Sequence, residues 1–234
     1  MKHYSIKTKK TPQKIRTLFT VGKGLPSDNV TRLCYLGDVL FAGTDKGLTY
    51  FKDGEISVIE GISEEVTALF EADGILFAGT TEAVYTVKNF TVAKRQSFTD
   101  KVVDIDSDGN GDIWLATPSA CYRLAGEEFV RFQGFDFEST HAMTAFGDRE
   151  VFAACPKALL VLHGKRPRWS TLMPSMCKAP SGIRTLTGDS LGNVWLGTEE
   201  GVYLYDGKSE WLTPDDFDFF PKCPVNRIVF GTDD

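Results

Sequence analysis

Leu40-Phe41-Ala42-Gly43-Thr44 recurs four more times in variant form, as Leu76-Phe77-Ala78-Gly79-Thr80, Ile113-Trp114-Leu115-Ala116-Thr117, Val151-Phe152-Ala153-Ala154-Cys155 and Val194-Trp195-Leu196-Gly197-Thr198. The small fourth residues Gly43, Gly79, Ala116, Ala154 and Gly197 follow one another at intervals of 36, 37, 38 and 43 residues. A period of that length marks a repeat architecture, in which each unit buries its apolar surface against the next. Such folds carry many unrelated functions, so the chemistry must be argued from particular residues.

Outward from the first pentad, the chain reads as strands over 30–36, 39–43, 48–52 and 55–60, with turns at Gly37-Asp38 and Asp53-Gly54. Short β-branched and aromatic runs bounded by Gly, Asp and Asn carry the strand and hairpin signal. The turn between third and fourth strands recurs as Asn89-Phe90, Ala125-Gly126, His163-Gly164 and Asp206-Gly207. Asp-Gly suits the two-residue turn whose central residues need positive φ. Each unit opens on a similar strand: Val30-Thr31-Arg32-Leu33, Val66-Thr67-Ala68-Leu69, Val102-Val103-Asp104-Ile105, Met143-Thr144-Ala145-Phe146 and Ile183-Arg184-Thr185-Leu186. A lone four-stranded sheet exposes two apolar faces, so the units must stack face to face, and a ring does so without unpaired ends. The expected fold is all-β: a β-propeller of four-stranded antiparallel blades. Phe41, Phe77, Trp114, Phe152 and Trp195 should fill the space between blades while the following small residues permit close backbone approach.

Asp189-Ser190-Leu191-Gly192-Asn193-Val194-Trp195-Leu196-Gly197-Thr198, continuing to Gly201-Val202-Tyr203, resembles the repeat of the two-component-regulator propeller family. Leu25-Pro26-Ser27-Asp28-Asn29-Val30 resembles that family's lead-in to an innermost strand, and the resemblance covers about residues 15–230. The fourth unit departs from the pattern, with Cys155-Pro156-Lys157-Ala158 in place of Gly-Thr-x-x-Gly. The resemblance implies a sensor-type propeller, extracytoplasmic in its family setting and often directed at carbohydrate fragments. Val225-Asn226-Arg227-Ile228-Val229-Phe230 repeats the opening of the first unit, while 15–19 reads as an outermost strand and 3–9 as a third strand. Five blades plus a partial sixth, shared by or cut at the termini, make residues 1–234 a single domain, expected to be part of a larger propeller.

With 42% apolar and 12% aromatic residues, the chain can bury a substantial core and is not a disordered segment. Its formal net charge is −6, and apart from Lys7, Lys9, Lys10, Lys14 and Arg16 its cations are scattered. That excludes the concentrated basic face on which nucleic-acid binders rely; the cluster reads as the solvated face of an edge strand. Five cysteines without a Cys-x-x-Cys argue against a disulfide framework or structural zinc, although Cys177 and Cys223 both precede innermost strands and could meet. No run is long enough for membrane insertion, and the first residues have no apolar signal-peptide core, so the chain reads as cytoplasmic as written.

Asp104, Asp106, Asp108 and Asp112, with Gly109 and Gly111 between them, form the sharpest local signal. Acids at alternate positions around a glycine turn can converge oxygens on Ca²⁺, which takes six to eight of them. The spacing resembles the calcium loops of integrin α-subunit propellers. The alternative is a hairpin turn of the repeat lengthened by two residues. On the opposite face, two inter-blade loops interleave aromatics with acids, and Phe135, Phe137, His141, Asp216, Phe217 and Phe219 are the candidate ligand contacts. Aromatic planes can stack on a sugar or a partner's apolar patch while carboxylates accept from hydroxyls. These phenylalanines could equally cap the blade cores. A third loop, 172–182, is apolar and could touch a partner.

Catalytic machinery is sparse. Of three histidines only His141, near Glu138, sits in a candidate ligand loop, and no Gly-x-Ser-x-Gly, His-Glu-x-x-His or phosphate loop occurs. The leading expectation is therefore a non-enzymatic recognition propeller for a small molecule, glycan or protein partner. A lyase or hydrolase acting on a carbohydrate or lactone through His141, and a pure interaction scaffold, are the alternatives.

Overall fold

Five four-stranded antiparallel sheets, each with its strands in sequence order, account for nearly all regular structure. The computed structural model describes residues 18–132, 139–147, 150–155, 158–162, 169–172, 180, 182–207, 211–217, 220 and 222–230. Sheet one holds β1 (Val30–Leu36), β2 (Val39–Thr44), β3 (Gly47–Lys52) and β4 (Glu55–Val58); sheet two holds β5 (Val66–Ala72), β6 (Ile75–Thr80), β7 (Ala83–Lys88) and β8 (Thr91–Ser97). Sheet three comprises β9 (Asp104–Ser107), β10 (Ile113–Ala116), β11 (Cys121–Ala125) and β12 (Glu128–Arg131). In sheet four are β13 (Ala142–Phe146), β14 (Glu150–Cys155), β15 (Ala158–Leu162) and β16 (Trp169–Leu172), and in sheet five β17 (Thr185–Gly188), β18 (Val194–Gly197), β19 (Val202–Tyr205) and β20 (Trp211–Leu212). The first strands touch in succession, β1 to β5 to β9 to β13 to β17, so the sheets stack with their first strands innermost.

The pentads are the second strands, buried on both faces, which is why they read as unbroken apolar runs instead of alternating ones. Each aromatic reaches forward into the next sheet. Phe41 packs with Val66, Leu76 and Tyr85; Phe77 with Ile105, Leu115 and Phe129; Trp114 with Met143 and Leu160; Phe152 with Leu186, Val194 and Tyr205. Trp195 repeats the pattern against Phe217, Phe220, Val225, Ile228 and Phe230.

The small residue two places after each aromatic sits against the following innermost strand. A Cβ on Gly43 would lie 2.5 Å from Val66 Cγ1, and one on Gly79 would lie 2.5 Å from Val102 Cγ1. Gly197 is pressed in the same way by Val225, whose N–H donates to Thr198 O at 2.9 Å just as Val102 N–H donates to Thr80 O at 2.9 Å. Residues 225–230 form no strand ladder among the described residues, but they start along sheet five as an innermost strand would. Residues 3–9 and most of 15–19 lie outside the described residues, as do His163-Gly164 and Cys177. Cys34, Cys121 and Cys223 carry free thiols.

One register differs from expectation. In sheets two and five the small pentad residue pairs with Ala68 and Thr185, and in sheet four Ala154 pairs with Ala142. The counterpart of Val66-Thr67-Ala68-Leu69 is thus Thr140-His141-Ala142-Met143, three residues before the Met143-Thr144-Ala145-Phe146 alignment. Apolar residues at both phases made the two alignments look alike. The turn at Asn89-Phe90 holds both residues at positive φ, 49° and 64°. That conformation is unfavourable for a bulky residue, and it persists because the Phe90 ring stacks on Tyr50 at 4.4 Å, pinning sheet two to sheet one.

Gly79→Ala is expected to lower stability by about 1–3 kcal/mol, because the new methyl must displace Val102 from a packed interface. Urea unfolding should show a lower midpoint with an unchanged slope. An unchanged midpoint would mean that the sheets do not meet there.

Candidate functional site

A cleft of about 240 Å³ opens where the chain enters the innermost strands, lined by Thr31, Arg32, Glu65, Val66, Thr67, Lys101, Val102, Val103 and His141. These come from equivalent places in four consecutive sheets. The β1–β2 ladder runs from Val30↔Thr44 directly to Arg32↔Gly43, and the β5–β6 ladder from Val66↔Thr80 to Ala68↔Gly79, so Thr31 and Thr67 are bulged residues. Bulges re-aim side chains, and both threonines are turned toward the cleft. Thr31 Oγ1 donates to Val66 O at 2.6 Å, tying the first two sheets together at the wall. Val103 and His141 hold the next two equivalent places, their N–H groups donating to Ala116 O at 2.7 Å and Ala154 O at 3.0 Å.

Arg32 Nη1 donates to Thr31 O at 2.9 Å, while its Nε is buried without a hydrogen-bond partner. Thr67 Oγ1 is buried and unpartnered as well. Burial pulls the Arg32 pKa down, Arg227 pushes in the same direction, and Asp104 and Glu65 oppose them. Asp104 faces the converse situation: burial pushes its carboxyl up, and the guanidiniums of Arg227 and Arg32 pull it back. Sheet one, sheet three and the 225–230 segment thus bring two arginines and one carboxylate within electrostatic reach.

Of the expected ligand contacts, His141 is the one the structure brings to this cleft; it is exposed, with Nδ1 3.2 Å from Ser139 O. Phe135, Phe137 and Phe219, with Glu138, lie outside the described residues. Asp216 instead closes a capping box, accepting from Thr213 N–H at 2.7 Å and Thr213 Oγ1 at 2.9 Å at a 3₁₀ turn, Pro214–Asp216. Phe217 is only 4% exposed and stacks beside Trp195 at 6.1 Å, so its ring is part of the core and offers no face to a ligand. Arg32, Glu65, Thr67, Lys101 and Arg227 went unrecognised in the sequence. The signal that could have found them is the column alignment of the innermost strands.

The four aspartates do not gather around one point. Asp108 accepts from Asn110 N–H at 2.9 Å, Asp112 N–H at 3.1 Å and Trp114 Nε1 at 3.0 Å. Asp189 does the same for Leu191 N–H, Asn193 N–H and Trp195 Nε1, each at 2.9 Å. The Asp108 hairpin is therefore the repeat's own turn, with Asp112 in the place of Asn193 and no added residues. Asp112 pairs with Arg123 at 2.6 Å, and Asp106 crosses to sheet four, accepting from Thr144 Oγ1 at 2.9 Å and Ala145 N–H at 3.0 Å. Among the described residues no three His, Cys, Asp or Glu side chains are grouped to hold a metal ion.

No protein-family model and no curated protein matches this chain. In three dimensions it is similar to two extracellular domains from B. thetaiotaomicron, BT4673 and BT3049, each described as belonging to a hybrid two-component system. The first aligns with TM-score 0.66 and 15% identity over 80% of this chain and 28% of that one; the second with 0.65 and 16% over 79% and 28%. The chain therefore spans just over a quarter of their length. It is also similar to an inactive variant of virginiamycin B lyase from Staphylococcus aureus crystallised with quinupristin, with TM-score 0.59 and 12% identity over 76% and 67% of the two chains. The fold is propeller-like. At these identities the likeness concerns architecture alone. No helix among the described residues is long and apolar enough to cross a membrane.

Burial pushes the Asp106 carboxyl up to about 6, with the Asp104 charge adding to it and the Ala145 N–H and Thr144 hydroxyl opposing. Between about pH 4 and 6 the folded protein therefore holds a proton that the unfolded chain has released, so stability falls as pH rises through that window. Asp106→Asn should stabilise the protein by about 1–3 kcal/mol at pH 7, with the gain gone below about pH 4. In the same melts the wild-type transition should be identical in Ca²⁺ and in chelator. A Ca²⁺-dependent rise that Asp106→Asn abolishes would restore the metal reading.

Proposed function

We propose that this chain is a non-enzymatic recognition module, a sensor-type β-propeller that binds its ligand at the cleft over the innermost strands. The observation that carries this reading is a cleft walled by equivalent positions of four sheets, in which Arg32 Nε and Thr67 Oγ1 lack protein partners. Buried polar groups are ordinarily paired, so two such atoms beside one cleft suit a ligand that supplies the missing contacts. The finer architecture belongs to the same proposal: five blades with a partial sixth begun by 225–230, in one domain that is part of a larger propeller. Leu33 and Tyr35 on β1, 63% and 64% exposed, are the surface a further blade would cover. Similarity to extracellular domains of two-component systems supports a sensing role. A small molecule, a carbohydrate fragment or a protein segment could occupy the cleft.

A lyase is the second reading, favoured by the placement of His141 in the same cleft and by the fold shared with virginiamycin B lyase. Screening a broad glycan and small-molecule panel by amide chemical shifts separates the two. Recognition predicts saturable shifts at Thr67, Lys101 and His141 with no product formed. Turnover that His141→Ala abolishes in a folded protein would replace it with the lyase reading. Shifts only with a protein partner, remote from the cleft, would leave a scaffold.

A further inference from the structure

We infer that the cleft recognises an oxyanion, a carboxylate or phosphate group borne by its ligand, through Arg32, Thr67 and Lys101; this rests on the recognition role proposed for the same cleft. The chain as a whole carries a formal charge of −6, yet Arg32 and Lys101 line the cleft against the single acid Glu65, and Arg227 adds a third positive charge nearby. Asp104, the other acid in reach of Arg32, is not among the lining residues. Neither acid makes an ion pair with Arg32 within contact distance.

The unusual feature is what the Arg32 guanidinium lacks. One of its nitrogens bonds Thr31 O, and Nε is removed from water with nothing in exchange. A desolvated, incompletely paired cation is costly, and it is repaid when an oxyanion brings acceptors and opposite charge together. Thr67 Oγ1 offers a second donor shielded from water, and exposed Lys101 a third at the rim. A neutral sugar would satisfy the threonine but bring no negative charge to a place where Arg32, Lys101 and Arg227 outnumber Glu65 and Asp104. At about 240 Å³ the cleft falls below the roughly 300–1,000 Å³ usual for drug-sized ligands, which suits a single small acid or the charged end of a longer molecule.

Titration calorimetry at low salt with D-glucuronate, D-glucose and inorganic phosphate tests this, because glucuronate and glucose differ by one carboxylate. At least one anion should bind and weaken with added salt, and which of the two binds tells a carboxylate from a phosphate source. Glucose should bind at least about tenfold more weakly, and Arg32→Gln and Lys101→Gln should each weaken the anion about 10- to 100-fold. Lys101 is exposed, so its variant keeps the test open should Arg32→Gln impair folding. Glucose binding as tightly as glucuronate, with no loss in either variant, would overturn the oxyanion inference and leave the recognition reading standing. Silence from both anions would overturn it too, and if the broad panel also left the Thr67, Lys101 and His141 amides unmoved, the recognition reading would fall separately.

Discussion

Everything in this molecule hangs on how closely a second strand approaches the innermost strand of the next sheet. Where a valine leans on Gly43, Gly79 or Gly197, no room remains for a Cβ. Interiors are packed at crystal-like density, so such contacts fix distance and angle together. The aromatic two residues earlier fills the wedge that the approach leaves open. Small residue and aromatic are two halves of one device, repeated from each sheet to the next. Each sheet depends mainly on its neighbours, as in other repeat architectures.

That device also determines where side chains of functional consequence can stand. Once the pentad locks the register, two successive places at the start of each innermost strand are aligned from sheet to sheet, and Thr31, Arg32, Thr67, Val103 and His141 among them line the cleft. One column reads Thr31, Thr67, Val103, His141 and Arg184, and the next reads Arg32, Ala68, Asp104, Ala142 and Thr185. The scaffold repeats but the columns do not. Where these places are exposed, as at His141 and Arg184, or bulged, as at Thr31 and Thr67, a repeat fold can vary them without disturbing its core, whereas Ala68, Ala142 and Thr185 are buried and paired with the pentads.

Much of the architecture was legible because it is encoded locally. Strand order, the Asp53-Gly54 turn and the forward-reaching aromatics depend on neighbours in sequence and stand where the pattern placed them, while strand limits shift by one or two residues and the opening of sheet four by three. The site was less legible for physical reasons. Arg32 and Thr67 read as ordinary strand residues, since nothing nearby in sequence announces the bulge that turns Thr67 inward or the burial that strips Arg32 Nε of water. Phe217 looked like a ligand platform because an aromatic in a loop carries no mark of what lies beneath it, here Trp195. The aspartates are drawn apart by partners that their spacing in sequence does not reveal. Asp106 on β9 is taken up by Thr144 and Ala145 of the next sheet, while in the hairpin Asp108 holds Trp114 Nε1 and Asp112 pairs with Arg123.

The carboxylates that were not gathered around a cation have another consequence. Asp104 and Asp106 face sheet four from one strand, each short of solvent, and Asp106 is held by donors of the neighbouring sheet. A buried carboxylate is weak evidence for stability, since removing it from water costs more than its hydrogen bonds return unless geometry is excellent. An interface of apolar wedges alone is tolerant of sliding. A carboxylate that must meet Thr144 and Ala145 N–H is not, because a shift of one residue would leave it unpaired. The same logic extends to the centre, where Arg32 and Arg227 approach Asp104 from opposite ends of the described chain. Apolar packing thus supplies the adhesion between sheets, while the sparse charges fix their phase, so the innermost strands can present an undersolvated arginine at a defined position.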